Sequence, residues 1–315
     1  LYEYKRDLGE DQWANMVHAQ SYVNTFFSRL ENEWYRNKWM FSWNVTLNQH
    51  FVTSMDNAVV SVEGKQNIMG YEQARLEASG FLSVKYRPVE RLGFSVDLRE
   101  DLYGREFTPL IPSFFAEYLV SRRGEVVLKA SAARNFRYPT LNDLYFMPGG
   151  NPDLKPEQGV TFDGGIATTH KGTRYSWNGS VTGFYSLIDN WIVWLPTFKG
   201  FWSPLNVKQV KSYGAEVNGS LGFIINKNWK LSADGHFAWT KSINLGDPVN
   251  WADQAIGKQL VYIPEYSSAF TGRLSWKAWT FMYQWTYYSE RFTTSSNQTD
   301  SRIGVLSPYF MNDIS

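Results

Sequence analysis

Few residues in this chain are spaced for chemistry. The four histidines, His18, His50, His170 and His236, are scattered, and no His-Glu-x-x-His or similar ligand spacing groups them with carboxylates. Glu31 and Glu33 stand two apart, so that in a strand they share one face. Paired carboxylates can hydrolyse a glycoside, but a wet strand face produces the same pair without catalysis. No Gly-x-Ser-x-Gly elbow occurs, and the absence of Cys excludes thiolate sites and disulfides. The Gly179–Gly183 spacing lies in a strand-like run and has no helix-packing meaning. The sequence therefore predicts no enzyme, no metal site and no cofactor. The densest unusual group is aromatic: Trp191, Trp194, Phe198, Phe201 and Trp202, with Lys199 among them. Exposed clusters of this kind mark contact surfaces. These rings suit stacking on a macrocycle, a siderophore aromatic or a sugar, and equally suit an interface girdle or the core of a loop.

The elements that position these residues are strands. Helical periodicity is nearly absent, and strict alternation dominates. Trp39, Phe41, Trp43, Val45 and Leu47 alternate with Ser42, Asn44, Thr46 and Asn48. Tyr213, Ala215, Val217, Leu221 and Phe223 alternate with Gly214, Glu216, Asn218 and Ser220. Trp229, Leu231, Ala233, Phe237 and Trp239 alternate with Lys230, Ser232, Asp234, His236 and Thr240. Trp279, Phe281, Tyr283, Trp285 and Tyr287 alternate with Thr280, Gln284 and Thr286. Several runs keep phase for about 10 residues or more, the length a tilted strand needs to cross a bilayer. Trp229 and Trp239 sit at the two ends of one apolar face, as two interfacial aromatic girdles require.

Composition fits that reading. Aromatics make up 17% of the chain, with 14 Trp, 19 Tyr and 21 Phe. Mean hydropathy is −0.38, and no run approaches the ~20 apolar residues of a membrane helix. A transmembrane barrel combines both properties, because only half of each strand meets lipid. A soluble carbohydrate-binding β protein would share the composition. The net charge of +1 carries no nucleic-acid footprint.

The connections separate the two alternatives. Strands are predicted near 20–35, 39–54, 71–87, 92–103, 113–122, 124–137, 158–170, 174–193, 206–225, 228–243, 263–277, 278–292 and from 308 onward. The turns between them alternate short and long. The long ones are 54–71, 103–112, 138–158, 194–206, 243–262 and 292–308. Every long loop then falls at one end, as in bacterial outer-membrane barrels, and a sandwich has no reason for that. Loops 54–71 and 243–262 are placed at the outer mouth. The predicted fold is an all-β, antiparallel, up-and-down transmembrane barrel. Thirteen strands is an odd number and cannot close by itself, so the chain is expected to be a barrel fragment. Its opening Leu-Tyr-Glu-Tyr and its end in a strand-like run agree with that expectation.

Between the sixth and seventh predicted strands lies Phe136-Arg137-Tyr138-Pro139, followed by Leu144-Tyr145 and then Gly150-Asn151-Pro152-Asp153-Leu154-Lys155-Pro156-Glu157. This resembles the long Phe-Arg-x-Pro … Leu-Tyr … Gly-Asn-Pro-x-Leu-x-Pro-Glu motif of TonB-dependent receptors. Asp143 stands where that family more often has Glu. Tyr213-Gly214-Ala215-Glu216 resembles the family's aromatic-Gly-x-Glu strand. In physical terms, Pro139 ends ladder pairing, and Pro152 and Pro156 hold an extended segment. Gly149-Gly150-Asn151 supplies a turn, and Leu144, Tyr145 and Leu154 can pack the loop down. The motif is expected to fold an outer loop rather than to touch ligand.

The resemblance implies a plugged barrel of twenty-two strands, of which residues 1–315 hold about strands eight to twenty. The plug and the first and last strands are expected to lie outside this chain. It implies uptake of a scarce, large nutrient driven by TonB: a metal chelate or organometallic ligand such as ferric siderophore, haem or cobalamin. It places the TonB contact in a missing N-terminal region and seats the barrel in outer-membrane lipid. The layout looks more like the cobalamin and siderophore branch than the glycan-importing branch. The competing readings are a passive porin or adhesin barrel and a soluble carbohydrate-binding protein.

Overall fold

The computed structural model describes all residues except 1, 8–12, 63–64, 122–124, 198–199, 247–253 and 300–303. Its strands are β1 (Tyr2–Asp7), β2 (Trp13–Arg36), β3 (Trp39–Val62), β4 (Lys65–Val89), β5 (Leu92–Tyr103), β6 (Glu106–Phe107), β7 (Ile111–Ser121) and β8 (Val126–Arg137). A short helix, α1 (Leu141–Tyr145), follows. After it come β9 (Glu157–Lys171), β10 (Tyr175–Pro196), β11 (Trp202–Ile224), β12 (Trp229–Asn244), β13 (Tyr266–Trp276), β14 (Trp279–Tyr288), β15 (Arg291–Phe292), β16 (Val305–Leu306) and β17 (Tyr309–Ile314).

The sheet is one antiparallel meander running β1-β2-β3-β4-β5-β7-β8-β9-β10-β11-β12-β13-β14-β17, with β6 added to β5. It is an open section of barrel wall. Strands β2, β3, β4, β10 and β11 each exceed 20 residues, far beyond the usual 5–6 of soluble sheets.

Register keeps the two faces apart across the sheet. Trp43 pairs with Leu82, and Leu82 with Leu98. Leu128, Ile166, Val181, Val217 and Phe237 form a second row through five successive strands. Nothing packs over this oily face among the described residues: Trp43 is 41% exposed, Val217 44% and Phe237 43%. A soluble sandwich would bury them. Rings gather at both margins of the face, with Trp39 stacked on Tyr86 and Trp229 beside Trp276 at the short-turn end. Tyr213–Trp239 and Tyr287–Phe310 lie toward the other end.

Two of the short turns fall where expected. Asn37-Lys38 and Lys277-Ala278 close two-residue hairpins, with positive φ at Asn37 and Lys277. Two expectations need correction. Segment 54–71 is not a long loop, because β3 runs on to Val62 and β4 resumes at Lys65, pairing as far as Val62 with Lys65. Loop 194–206 is likewise short, since β10 reaches Pro196 and β11 begins at Trp202. In both hairpins the cross-strand pairing simply continues to the tip. The first predicted strand also starts earlier, at Trp13, and β1 precedes it.

Candidate functional site

The long β8–β9 connection carries the densest interaction network, and local sequence explains its start. Pro139 cannot donate to a ladder and ends β8. Thr140 then caps α1: its hydroxyl accepts the Asp143 N–H and the Asp143 carboxylate accepts the Thr140 N–H, both at 3.0 Å. The second Asp143 oxygen accepts the Trp194 indole N–H at 3.0 Å, and the Arg137 guanidinium lies 3.4 Å from the first. Burial by itself would raise the Asp143 pKa, but the Thr140 and Trp194 donors and the Arg137 charge hold it below the ordinary 3.8.

The rest of the motif is laced to the tips of β10 and β11. Glu157 Oε1 accepts the Ile192 N–H at 2.7 Å and faces Arg137 at 3.4 Å. Leu144, Leu154 and Ile192 form a buried cluster under Tyr138 and Tyr145. The Asn151 amide donates to Asp143 O at 2.8 Å, and its side chain donates to Pro204 O at 3.2 Å. The Asn206 side chain accepts Lys155 N–H at 2.8 Å and donates to Lys155 O at 3.0 Å, acting as a substitute strand edge. A Cβ on Gly149 would fall 1.9 Å from Trp202 O, so only glycine allows the loop to seat there. A single curved layer has no interior, and this seat holds most of the large buried side chains among the described residues.

The loop also meets the polar wall. Arg75 on β4 donates to Pro139 O at 2.9 Å and pairs with Glu77 at 2.5 Å. Its guanidinium lies 5.6 Å from the Tyr103 and Tyr138 ring centres, which stack on each other at 4.8 Å. Below it the wall is a hydroxyl–carboxylate lattice. Asp97 accepts from Ser83, Ser95 and Ser113. Ser79, Ser131 and Ser220 donate to Asp101, Asp163 and Asp234 respectively. Such a surface is built for water or for polar protein, and no candidate metal cluster occurs among the described residues.

Of the residues predicted as a ligand shelf, the structure describes Trp191, Trp194, Phe201 and Trp202. Trp194 is tied to Asp143 and meets Phe146 edge-on at 5.8 Å, so it serves the loop seat. Trp191 is three residues away on the same strand, with its side chain on the opposite face of the sheet. Phe201 approaches Gly149, and Trp202 is largely exposed. Phe198 and Lys199 lie outside the described residues. The motif residues Phe136, Arg137, Pro139, Leu144, Tyr145, Gly150, Asn151, Pro152, Leu154, Pro156 and Glu157 all fall at the end of β8, in the connection or at the start of β9. Sequence reasoning missed Arg75 and Asn206. It also missed α1, although Thr140-x-x-Asp143 is a legible capping box.

Comparison with known proteins completes the picture. The family model described as TonB dependent receptor-like, beta-barrel matches residues 3–315. A vitamin B12 transporter BtuB of Photobacterium profundum is 28% identical over 60% of this chain and 30% of its own length. Another of the same name, from Vibrio vulnificus, is 28% identical over 40% of the chain and 19% of its own. Among solved structures, a copper transporter OprC superposes with a TM-score of 0.69 at 15% identity, over 94% of this chain and 48% of its own. A ferric enterobactin receptor, PfeA, reaches 0.65 at 18% identity, over 98% and 48%. This chain thus spans about half the length of the structures it matches.

Proposed function

The chain belongs to the TonB-dependent receptors, as the β-barrel part of that outer-membrane family, and from that membership we propose that the whole protein actively imports a scarce, large nutrient. The observation that carries the reading is the two-faced wall, oily outside and hydroxyl-rich inside, crowned by a motif loop laced down over its polar side. Residues 1–315 supply one section of that wall, and the plug and remaining strands are read as belonging to other parts of the receptor. TonB engages the receptor through its N-terminal region, and lipid surrounds the oily face. The cargo is a ferric siderophore, haem or cobalamin. The names of the relatives support this range, since they include vitamin B12 transporters and a ferric enterobactin receptor. Phe201 and Trp202, with Phe198 and Lys199, are read as cargo contacts at the outer rim, while Trp191 shares the oily face. The chain is read as a non-catalytic receptor wall.

Growth of a deletion strain tests this directly. Cells lacking the gene should fail on limiting cobalamin, haem or ferric siderophore and recover with the full gene only when TonB is functional. Recovery without TonB would overturn active transport in favour of a passive pore.

A further inference from the structure

A recess of about 320 Å³ lies on the polar face at the short-turn end of β9–β13, away from the loop seat. Its floor is Gly222, where a Cβ would stand 2.9 Å from Ser176 Oγ. Ser176, Ser232 and Ser275 present hydroxyls around it, and Arg174, Lys230 and Arg273 present cations. Pairing fixes this arrangement. Gly222 faces Ser176 on one side and Ser232 on the other, Ser232 faces Arg273, and Lys230 faces Ser275. Lys230 and Arg273 are therefore diagonal neighbours on adjacent strands, about 7–8 Å apart.

The charge here is unbalanced. Elsewhere on this face, Arg87 is met by Glu117, Arg99 by Asp101 and Arg137 by Glu157. Among the described residues, neither Arg174, Lys230 nor Arg273 has an ion-pair partner, and Arg273 finds only the Met282 sulfur at 3.7 Å. Asp234, two residues along from Ser232, already takes the Ser220 hydroxyl at 2.6 Å. Like charges brought together over a concave floor of hydroxyl donors favour an anion with several acceptor oxygens.

We propose that this recess binds an oxyanion, a phosphate or carboxylate group, through Arg174, Lys230 and Arg273 with the serine hydroxyls as secondary donors. Its place on the polar face, away from the lipid-facing rows, leaves two sources: a free anionic solute, or a carboxylate of polypeptide held against the inner wall. The inference does not depend on the identity of the cargo.

The test uses the full-length receptor in detergent at low ionic strength. In one arm inorganic phosphate is titrated calorimetrically. In the other a zero-length carbodiimide cross-linker is applied and peptides are mapped by mass spectrometry. A free-solute site gives saturable phosphate binding that weakens about tenfold or more in Lys230→Gln/Arg273→Gln. An internal carboxylate instead gives a cross-link from Lys230 to an Asp or Glu, suppressed by excess phosphate. Heat-modifiable gel migration confirms that the variant is folded, and the single variant Lys230→Gln serves if the double is not. Neither saturable binding nor a Lys230 cross-link, or binding unchanged in the variants, would overturn the proposal.

Discussion

Replacing Asp143 with Ala should free the motif loop without melting the barrel. The substitution removes the acceptor of two part-buried hydrogen bonds, from the Thr140 N–H and the Trp194 indole N–H, each now 3.0 Å from a carboxylate oxygen. Hydrogen bonds to a charged acceptor contribute about 1.5–3 kcal/mol each. Taking the low end for both gives about 3 kcal/mol. The half-exposed Arg137, at 3.4 Å, adds under about 1 kcal/mol after solvent screening. Loop opening should rise by about two to three orders of magnitude. Hydrogen exchange reads this at the Leu144, Phe146 and Asn151 amides, which bond to Thr140, Asn142 and Asp143 carbonyls. Sheet amides such as Val217 should be unaffected. Trp194→Phe, which removes one donor and leaves the cap, should give a smaller change of about tenfold. Equal acceleration in loop and sheet, or less than about threefold in the loop, would refute the reasoning, because Asp143 would then not be holding a locally opening unit.

Other outcomes follow from the same geometry. Val217→Arg places a charge in the middle of the oily row and should cost about 2–4 kcal/mol in urea unfolding from lipid vesicles, whereas Asn218→Arg on the polar face should cost under about 1; similar costs would mean that the oily face does not meet lipid. Gly214→Ala drives a Cβ to 2.0 Å from Trp239 O and into the Phe184 ring, while at Gly219 the nearest atom is 4.0 Å away. Unfolding midpoints should therefore drop for the first, by about 1–3 kcal/mol, and hardly move for Gly219→Ala. Asp143 has a depressed folded pKa, so its contribution is complete above the ordinary 3.8 and is lost as pH falls through the lower folded value. Protease sensitivity of the loop should therefore rise on acidification below about 3.8, and Asp143→Asn should remove that pH step.

The sequence alone was enough for the wall. Alternation has a period of two, and a strand that keeps Trp43, Val217 or Phe237 in phase over such lengths has one oily side whatever its neighbours do. Short turns such as Lys277-Ala278 were equally legible, because turn residues act locally. The motif marked the loop, and Thr140 and Asp143 contained its helix. The sites where distant strands meet were not legible. Arg75 reaches Pro139 across 64 residues, and Asn206 clasps Lys155 across 51. Trp194 belongs with Asp143 rather than with the aromatic residues beside it in the chain. The cationic recess exists only because register brings Lys230, Arg273 and Arg174 around Gly222. Periodicity determines which way a side chain points, but only the pairing of strands determines what it points at.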